Sequence, residues 1–323
     1  MRSSASLPRT GQRLPALGLG CAALGNLFAP VSETDARQTL AAAWAHGLTY
    51  FDTAPYYGHG LSEQRLGDFL RSGAAPGAMV STKVGRGLRP LAAGPAPDTG
   101  FVDAAPVEPY FDYGRDAVLR QIEASLGRLG LDRLDIVFVH DIGALTHGAD
   151  HDRVFRAALD GALPALAELH AQGVIGAVGV GVNEVEVCLQ TLAHADLDAL
   201  LLAGRYTLLD QSAGEVLLPL CLERGVGVVV GGPFNSGILA GGGHYDYRAA
   251  PPEILARVGR LNAVCEAHGV PLAAAALHFP LLSPAVVGVI AGARTAAEVA
   301  ANAAHMAAAP PAELWTALRQ EEP

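Results

Sequence analysis

The sequence LTYFDTAPYYGHGLSEQRLGDFLRSGAAPGAMVSTK, residues 48–83, holds one complete unit of a pattern that runs through the whole chain. An apolar run rich in β-forming residues, 48–52, is followed by a segment of helical period, 62–71, and by a second apolar run, 78–83. Such alternation is typical of strand–helix–strand units that build a parallel sheet. This stretch therefore predicts the α/β class.

The same unit recurs from one end of the chain to the other. Strands are predicted at residues 16–20, 48–52, 78–83, 134–140, 175–179, 199–203, 226–230 and 286–290. Helices are predicted at residues 33–46, 62–71, 114–129, 152–172, 184–194, 211–223, 252–268 and 296–306. Alternating strands and helices in this number predict a closed (β/α)8 TIM barrel, with its active site at the C-terminal ends of the strands. We expect residues 1–323 to form this one domain.

A doubly wound dinucleotide-binding fold is the alternative architecture. Gly18, Gly20 and Ala23 match its GxGxxA fingerprint after a short strand. In that fingerprint the glycines open directly into a helix, whereas residues 26–31 separate them here from the first predicted helix. This spacing favours the barrel.

Composition excludes several classes of partner and site. The net charge is -10 and only 17% of residues are charged, without a basic stripe that could bind nucleic acid. The four cysteines, Cys21, Cys188, Cys221 and Cys265, are far apart and show no CxxC spacing. This pattern favours reduced thiols over a disulfide framework or a metal site.

The N-terminus loosely resembles an export signal, because Arg2, Arg9 and Arg13 precede an apolar run that begins at Leu14. Pro15 and several glycines interrupt that run, and no apolar stretch reaches the roughly 20 residues of a membrane-spanning helix. We therefore expect a cytoplasmic protein without a membrane partner. The sequence predicts no particular oligomeric state.

Four polar residues follow neighbouring predicted strands: Asp52, Tyr57, Lys83 and His140. Taken singly, the aspartate could cap a turn, the lysine could be solvated and the histidine could belong to the core. The C-terminal ends of barrel strands meet on one rim, however, so all four are expected to converge there. Their joint placement predicts a catalytic site.

These residue types suit the interconversion of a carbonyl and an alcohol. Hydride transfer to or from carbon needs a group that gives or takes a proton, and Tyr57 is the candidate. A phenol has a pKa of about 10, and the ammonium of Lys83 is expected to lower it. Asp52 would hold Lys83 charged, and His140 would hydrogen-bond the substrate oxygen.

The motifs around these residues resemble the aldo-keto reductase superfamily. They are FDTAPYYGHGLSEQRLGDFL at 51–70, STK at 81–83 and SLGRLGLDRLDIVFVHD at 125–141. The resemblance places the family's catalytic tetrad on Asp52, Tyr57, Lys83 and His140. It implies an NAD(P)-dependent oxidoreductase with the barrel fold.

Three further motifs resemble one branch of that superfamily: FDY at 111–113, HD at 140–141 and RYTLLDQ at 205–211. This branch contains L-fucose (D-threo-aldose) 1-dehydrogenase, L-galactose dehydrogenase and pyridoxal 4-dehydrogenase. The resemblance implies NAD-linked oxidation of the hemiacetal C1 hydroxyl of a sugar such as L-fucose, L-galactose or D-arabinose to the lactone. Pyridoxal oxidation, general NADP-dependent aldehyde reduction and a non-catalytic, cofactor-binding regulatory role stay open as alternatives.

The positions that hold the nicotinamide amide in the family differ in this chain. Its Ser-Asn pair corresponds to Gly181 and Val182, so Asn183 is expected to substitute. A glutamine and an aromatic residue of the family correspond to Ala203 and Gly231.

The rest of the cofactor site resembles the family more closely. GGPFNSGIL at 231–239 resembles the loop over the pyrophosphate, and IAGARTAAEVAAN at 290–302 resembles the adenosine site. Gly292 and Glu298 stand where NADP-dependent relatives have cations, which favours NAD, with NADP possible. The expected cofactor residues are Asp52, Asn183, Pro233, Phe234, Ser236, Gly237, Leu239, Gly292, Arg294, Glu298 and Asn302.

Substrate choice is expected to depend on the loops at 85–113, 141–151 and 232–248. Asp141 is a candidate for binding a sugar hydroxyl, beside Tyr57 and His140. His59 is expected to be a solvated loop histidine.

Overall fold

The computed structural model describes residues 4–91 and 97–320. Within these residues, eight parallel strands form a closed barrel, which confirms the predicted fold. The strands are β1 Leu17–Gly20, β2 Tyr50–Asp52, β3 Met79–Val84, β4 Ile136–His140, β5 Val178–Val182, β6 Ala199–Ala203, β7 Gly227–Gly231 and β8 Val286–Gly292. They follow each other around the barrel in chain order, and β8 closes the sheet where Val289 lies opposite Leu17.

Helices connect the strands and surround the sheet. Their bounds are Glu33–Ala45, Leu61–Arg71, Arg115–Leu129, Ala144–His147, His151–Ala157, Leu163–Ala171, Val185–His194, Leu217–Arg224, Pro252–Ala267, Leu272–His278, Ala296–Ala307 and Ala312–Gln320. The first begins at an N-cap, because Ser32 Oγ accepts a hydrogen bond of 3.1 Å from the Asp35 N–H. No helix of the described ranges is long and apolar enough to cross a membrane.

Apolar side chains fill the barrel and the layer around it. One buried cluster occupies the barrel interior and includes Tyr50, Phe138 and Leu201. The antiparallel hairpin of Ser4–Ser6 and Arg13–Pro15 adds its own Leu14 and the adjacent Leu7 to that cluster. A larger cluster lies between the sheet and the helices. The strands are therefore buried on both faces, as expected for a parallel sheet.

Several predicted bounds were wrong. The fifth strand was predicted at 175–179 but is Val178–Val182, and Ile175 makes only an isolated bridge to Leu134. Glycines at alternate positions along this strand give it neither a clear apolar run nor a clear period. The helix predicted at 211–223 begins only at Leu217, after a series of turns.

The helix predicted at 152–172 is interrupted by a π-helical segment, Ala158–Ala162. Gly161 in that segment lies against the backbone of Tyr113, where a Cβ would come within 2.7 Å of a carbonyl oxygen. Pro164 follows and has no N–H to donate. A wider turn at this point satisfies both constraints.

Three of the longer elements in the described residues were not predicted. The helix Leu272–His278 is nearly all apolar and buried around its circumference, so it shows no helical period. The helix Ala312–Gln320 packs against Pro252–Ala267 outside the barrel. The third is a hairpin of Arg86–Pro90 and Val107–Phe111, in which Arg86 pairs with Phe111. This hairpin lies within the predicted substrate loop 85–113.

Candidate active site

The structure brings the four predicted catalytic residues together. Asp52 ends β2, Lys83 lies near the end of β3, His140 ends β4, and Tyr57 lies in the turn after β2. Lys83 Nζ donates to Asp52 Oδ2 at 2.7 Å and to the Thr53 carbonyl at 2.9 Å. The two charged side chains are only 2% and 5% exposed. A buried ion pair with an added backbone acceptor fixes both groups in one geometry.

Two further buried residues orient Asp52. Ser81 Oγ donates to Asp52 Oδ1 at 2.7 Å, and the Tyr50 hydroxyl donates to Ser81 Oγ at 2.8 Å. Ser81 and Lys83 are two residues apart on β3, so their side chains project to the same face of the strand. That spacing is the sequence signal that identifies Ser81 as a partner of Asp52.

Tyr57 lies beside the ammonium of this pair, with Lys83 Nζ 4.5 Å from the centre of its ring. Burial raises the pKa of the Tyr57 phenol to about 12, and the Lys83 charge offsets only part of this effect. Lys83 therefore lowers the phenol pKa, as expected, but the expected net depression was wrong because desolvation is the larger cause. Tyr57 is protonated at neutral pH in the free enzyme.

His140 is held as a neutral imidazole. Burial lowers its pKa well below the ordinary value, and the charges of Arg86 and Lys83 add to the effect. Its ring meets that of Tyr57 edge to face, with 6.2 Å between centroids. Its buried Nδ1 has no hydrogen-bond partner among the described residues. A neutral imidazole and a phenol side by side can hold one substrate oxygen between them.

These residues lie in a cavity of about 310 Å³. Its polar lining includes Tyr57, Lys83, Arg86, Thr99, His140, Asp141 and Asn183. Its aromatic walls are Phe28, Tyr56, Phe101 and Tyr247. The predicted substrate residues Tyr57, His140 and Asp141 therefore share one cavity.

Sequence reasoning missed Arg86. It is the first residue of the hairpin strand Arg86–Pro90, and its Nη2 donates to Asp141 Oδ2 at 2.5 Å. Its guanidinium lies 4.2 Å from the Tyr56 ring centre and 5.1 Å from that of Phe111. The sequence signal was a pair of short segments that flank a Pro- and Gly-rich stretch and can form a hairpin.

His59 is not solvated as predicted; it is only 3% exposed. Its Nδ1 lies 2.8 Å from the Val107 carbonyl oxygen, and its Nε2 lies 3.0 Å from Thr99 Oγ1. The ring therefore joins the turn that carries Tyr57 to the loop that lines the cavity. A hydrogen bond at each ring nitrogen accounts for its burial.

A second cavity of about 300 Å³ adjoins the first and extends from Asp52 and Tyr57 to the start of the helix Ala296–Ala307. Among the predicted cofactor residues, its lining includes Asp52, Asn183, Pro233, Phe234, Ser236, Gly237, Gly292, Arg294 and Glu298. Leu239 and Asn302 do not line it and are buried, at 1% and 8% exposure. The Leu239 N–H donates to the Phe234 carbonyl at 3.2 Å.

The chemistry of this cleft fits a dinucleotide. At one end, Arg294 and the N-terminus of a 12-residue helix favour a phosphate. Glu298 Oε2 accepts from the Arg294 N–H at 2.8 Å, so a carboxylate is fixed beside them. At the other end, Asn183 Nδ2 donates to the Ala203 carbonyl and to the Tyr247 hydroxyl, each at 3.3 Å. Asn183 is thus placed where an amide could be bound.

Comparison with known proteins agrees with this site. The model of the Aldo/keto reductase family matches residues 16–320, and the chain therefore belongs to this family. It is 45% identical to pyridoxal 4-dehydrogenase of Microbacterium luteolum, over 98% of this chain and 96% of that protein. It is 40% identical to D-threo-aldose 1-dehydrogenase of a Pseudomonas species, over 96% of this chain and 94% of that protein.

The fold also matches solved structures. An aldo-keto reductase from Bacillus halodurans in its holo form superposes with a TM-score of 0.78 at 25% identity, covering 100% of this chain and 97% of that chain. The family match and the two relatives confirm the predicted family and branch. The protein is an NAD(P)-dependent oxidoreductase.

Proposed function

We propose that the enzyme is an NAD-linked dehydrogenase that oxidises the C1 hydroxyl of a cyclic hemiacetal to a lactone. The substrate would be a sugar such as L-fucose, L-galactose or D-arabinose. One observation carries the proposal: Tyr57 lines both the polar cavity and the dinucleotide cleft. The group that exchanges a proton therefore stands where substrate and cofactor would meet.

The residues of the chain supply positioning and proton transfer. NAD, held in the cleft lined by Asn183 and Arg294, would supply the acceptor for the hydride that leaves C1. His140 donates a hydrogen bond to the C1 oxygen and orients it toward Tyr57. The Tyr57 phenol first loses its proton to solvent. The resulting phenolate then accepts the C1 hydroxyl proton, and the C1–O bond becomes the lactone carbonyl. Lys83 stabilises the negative charge on the Tyr57 oxygen, and Asp52 keeps Lys83 in place.

The preference for NAD is supported by the charge at the adenosine end of the cleft. Glu298 is held at the helix N-terminus, where its carboxylate would repel a 2′-phosphate. Gly292 adds no second cation beside Arg294 to offset this charge. A cytoplasmic location is part of the proposal and is supported by four buried cysteines with free thiols.

Pyridoxal is a second candidate substrate. Phe28, Tyr56, Phe101 and Tyr247 line the cavity with aromatic rings, which suit a planar heteroaromatic substrate. The 45% identical relative is named for this compound. Pyridoxal closes to a cyclic hemiacetal through its own hydroxymethyl group, so the same proton and hydride transfers apply.

The test is a screen of NAD and NADP reduction with L-fucose, L-galactose, D-arabinose, L-glucose and pyridoxal, together with NADPH oxidation by simple aldehydes. Mass spectrometry of the product identifies the lactone. We expect NAD-dependent turnover of at least one hemiacetal, with lactone formed in equal amount to NADH. Turnover confined to NADPH and simple aldehydes would support the general reductase instead. Cofactor binding without turnover of any of these substrates would support the regulatory alternative.

A further inference from the structure

Arg86 and Asp141 form an ion pair beside the reacting centre that the tetrad chemistry does not use. The bond between Arg86 Nη2 and Asp141 Oδ2 measures 2.5 Å, and the two side chains are 11% and 14% exposed. The same carboxylate oxygen lies 3.4 Å from His140 Nε2. The pair is therefore next to the imidazole that would hold the C1 oxygen.

The backbone of Asp141 is strained and tightly held. Its φ of 46° lies in the left-handed region, which few non-glycine residues adopt. The Tyr113 hydroxyl donates to the carbonyls of His140 and Asp141 at 2.8 and 3.0 Å, and the Asp141 N–H donates to Gly181 at 2.9 Å. The Tyr113 ring packs directly against Gly85, where a Cβ would overlap the ring. Strain maintained in this way is typical of functional sites.

The pair retains a donor and an acceptor for a ligand. Arg86 Nε is buried and has no hydrogen-bond partner in the described part of the chain. Both contacts to the Asp141 carboxylate are on Oδ2, and within the same ranges no hydrogen bond reaches Oδ1. A hydroxyl group can accept from the guanidinium and donate to the carboxylate at the same time.

The charges of the site cancel. Among the described residues that line the substrate cavity, the charged ones are Lys83, Arg86 and Asp141, and Asp52 pairs with Lys83. His140 is held neutral by its lowered pKa. Two cations and two anions leave no net charge to attract a carboxylate or phosphate on the substrate. The site therefore suits a neutral polyhydroxylated molecule.

We propose that Arg86 and Asp141 form a specificity subsite for the hydroxyl group next to the reacting hemiacetal carbon of a neutral substrate. The inference rests on the proposed function. In a sugar this group is the 2-hydroxyl on the adjacent carbon. In pyridoxal it is the ring hydroxyl, whose carbon is separated from the hemiacetal carbon by one ring carbon. In both substrates the two oxygens are close enough for His140 to bind one and the ion pair to bind the other.

The test compares substrates with and without this hydroxyl. The pairs are L-fucose with its 2-deoxy analogue and pyridoxal with its 3-deoxy analogue, and the pair turned over by the wild type identifies the source of the hydroxyl. We expect the wild type to prefer the hydroxylated partner by at least about 100-fold in kcat/KM, because an unmatched buried donor and acceptor are costly. Arg86→Met should lower kcat/KM about 100-fold for the hydroxylated substrate and little for the deoxy analogue.

Controls separate substrate binding from folding. Arg89→Met changes an arginine of the same hairpin that is 60% exposed and paired with Glu108, and it should leave the preference intact. Arg86→Lys keeps the charge and should restore part of the preference for the hydroxylated substrate. If thermal unfolding shows that Arg86→Met folds poorly, Arg86→Lys takes its place in the comparison. Equal losses on both substrates, or a wild type indifferent to the hydroxyl, would overturn the subsite alone. Absence of hemiacetal oxidation by the wild type would overturn the proposed function as well.

Discussion

Removal of one member of the Asp52–Lys83 pair should destabilise the folded enzyme and reduce its activity. Asp52→Asn keeps the shape of the side chain and an oxygen that can accept from Lys83, but it removes the negative charge that pairs with the ammonium. Lys83→Met leaves a buried carboxylate that retains only the hydrogen bond from Ser81. Each single change thus leaves a charge without its counter-charge in a site where the two side chains are 2% and 5% exposed.

The size of the effect follows from this burial. Breaking a buried ion pair by removing one partner costs about 3–5 kcal/mol, since the other charge stays desolvated. At roughly 2–3 °C per kcal/mol for a domain of this size, Tm should fall by about 10 °C. The double variant Asp52→Asn/Lys83→Met leaves no net charge in the site and should be less destabilised than the sum of the two single variants by at least about 2 kcal/mol.

Urea unfolding of the four proteins at pH 7, followed by circular dichroism, gives the coupling free energy directly. Glu123→Gln, a change at an exposed position of the helix Arg115–Leu129, provides a control for the precision of the extrapolation. Single variants within about 0.5 kcal/mol of the wild type would refute the argument. Additive single and double changes would refute it equally, because additivity means that the two charges do not interact.

Three further changes test other parts of the site. Below pH 6.5 the unfolded chain protonates His140, whereas the fold keeps it neutral, so the wild type loses up to about 1.4 kcal/mol of stability per pH unit from this residue. Urea unfolding from pH 7 to 4.5 should show a smaller pH dependence for His140→Gln, and an unchanged slope would contradict this. Glu298→Arg should raise the NADP-to-NAD ratio of kcat/KM at least about tenfold in steady-state assays, and an unchanged ratio would refute the charge argument. Tyr113→Phe loses the hydroxyl that bonds to the carbonyls of His140 and Asp141, so the free energy of unfolding should fall by about 1–2 kcal/mol and KM should rise. No change in either quantity would count against this role of Tyr113.

The barrel could be predicted because its strands are short and apolar and its helices are amphipathic. Elements that escaped prediction lacked such a pattern. The helix Leu272–His278 is buried on all sides and has no polar face. In β5, glycines at alternate positions interrupt the apolar run from which the ends of a strand are predicted. Strand order could be inferred from fold rules, whereas the π-helical segment Ala158–Ala162 depends on a contact with Tyr113 distant in sequence.

Some features of the candidate site could also be predicted from the sequence, and others could not. The convergence of Asp52, Tyr57, Lys83 and His140 follows from their positions at strand ends, so sequence alone could predict it. The net pKa of Tyr57 could not be predicted, because it depends on the balance between burial and the Lys83 charge. Arg86 lies on a hairpin outside the barrel, where the repeating pattern gives no guide.

The proposed oxidation depends on proton transfer to Tyr57, and Tyr57→Phe removes the hydroxyl that carries this proton. The measurement is kcat for NAD reduction across pH 7 to 10 with the preferred hemiacetal, alongside NADH binding by fluorescence. We predict that kcat falls by about 10³-fold, that its rise with pH toward the raised pKa of Tyr57 disappears, and that NADH binding is retained. A Tyr57→Phe enzyme with kcat and pH dependence close to those of the wild type would show that Tyr57 is not the proton acceptor.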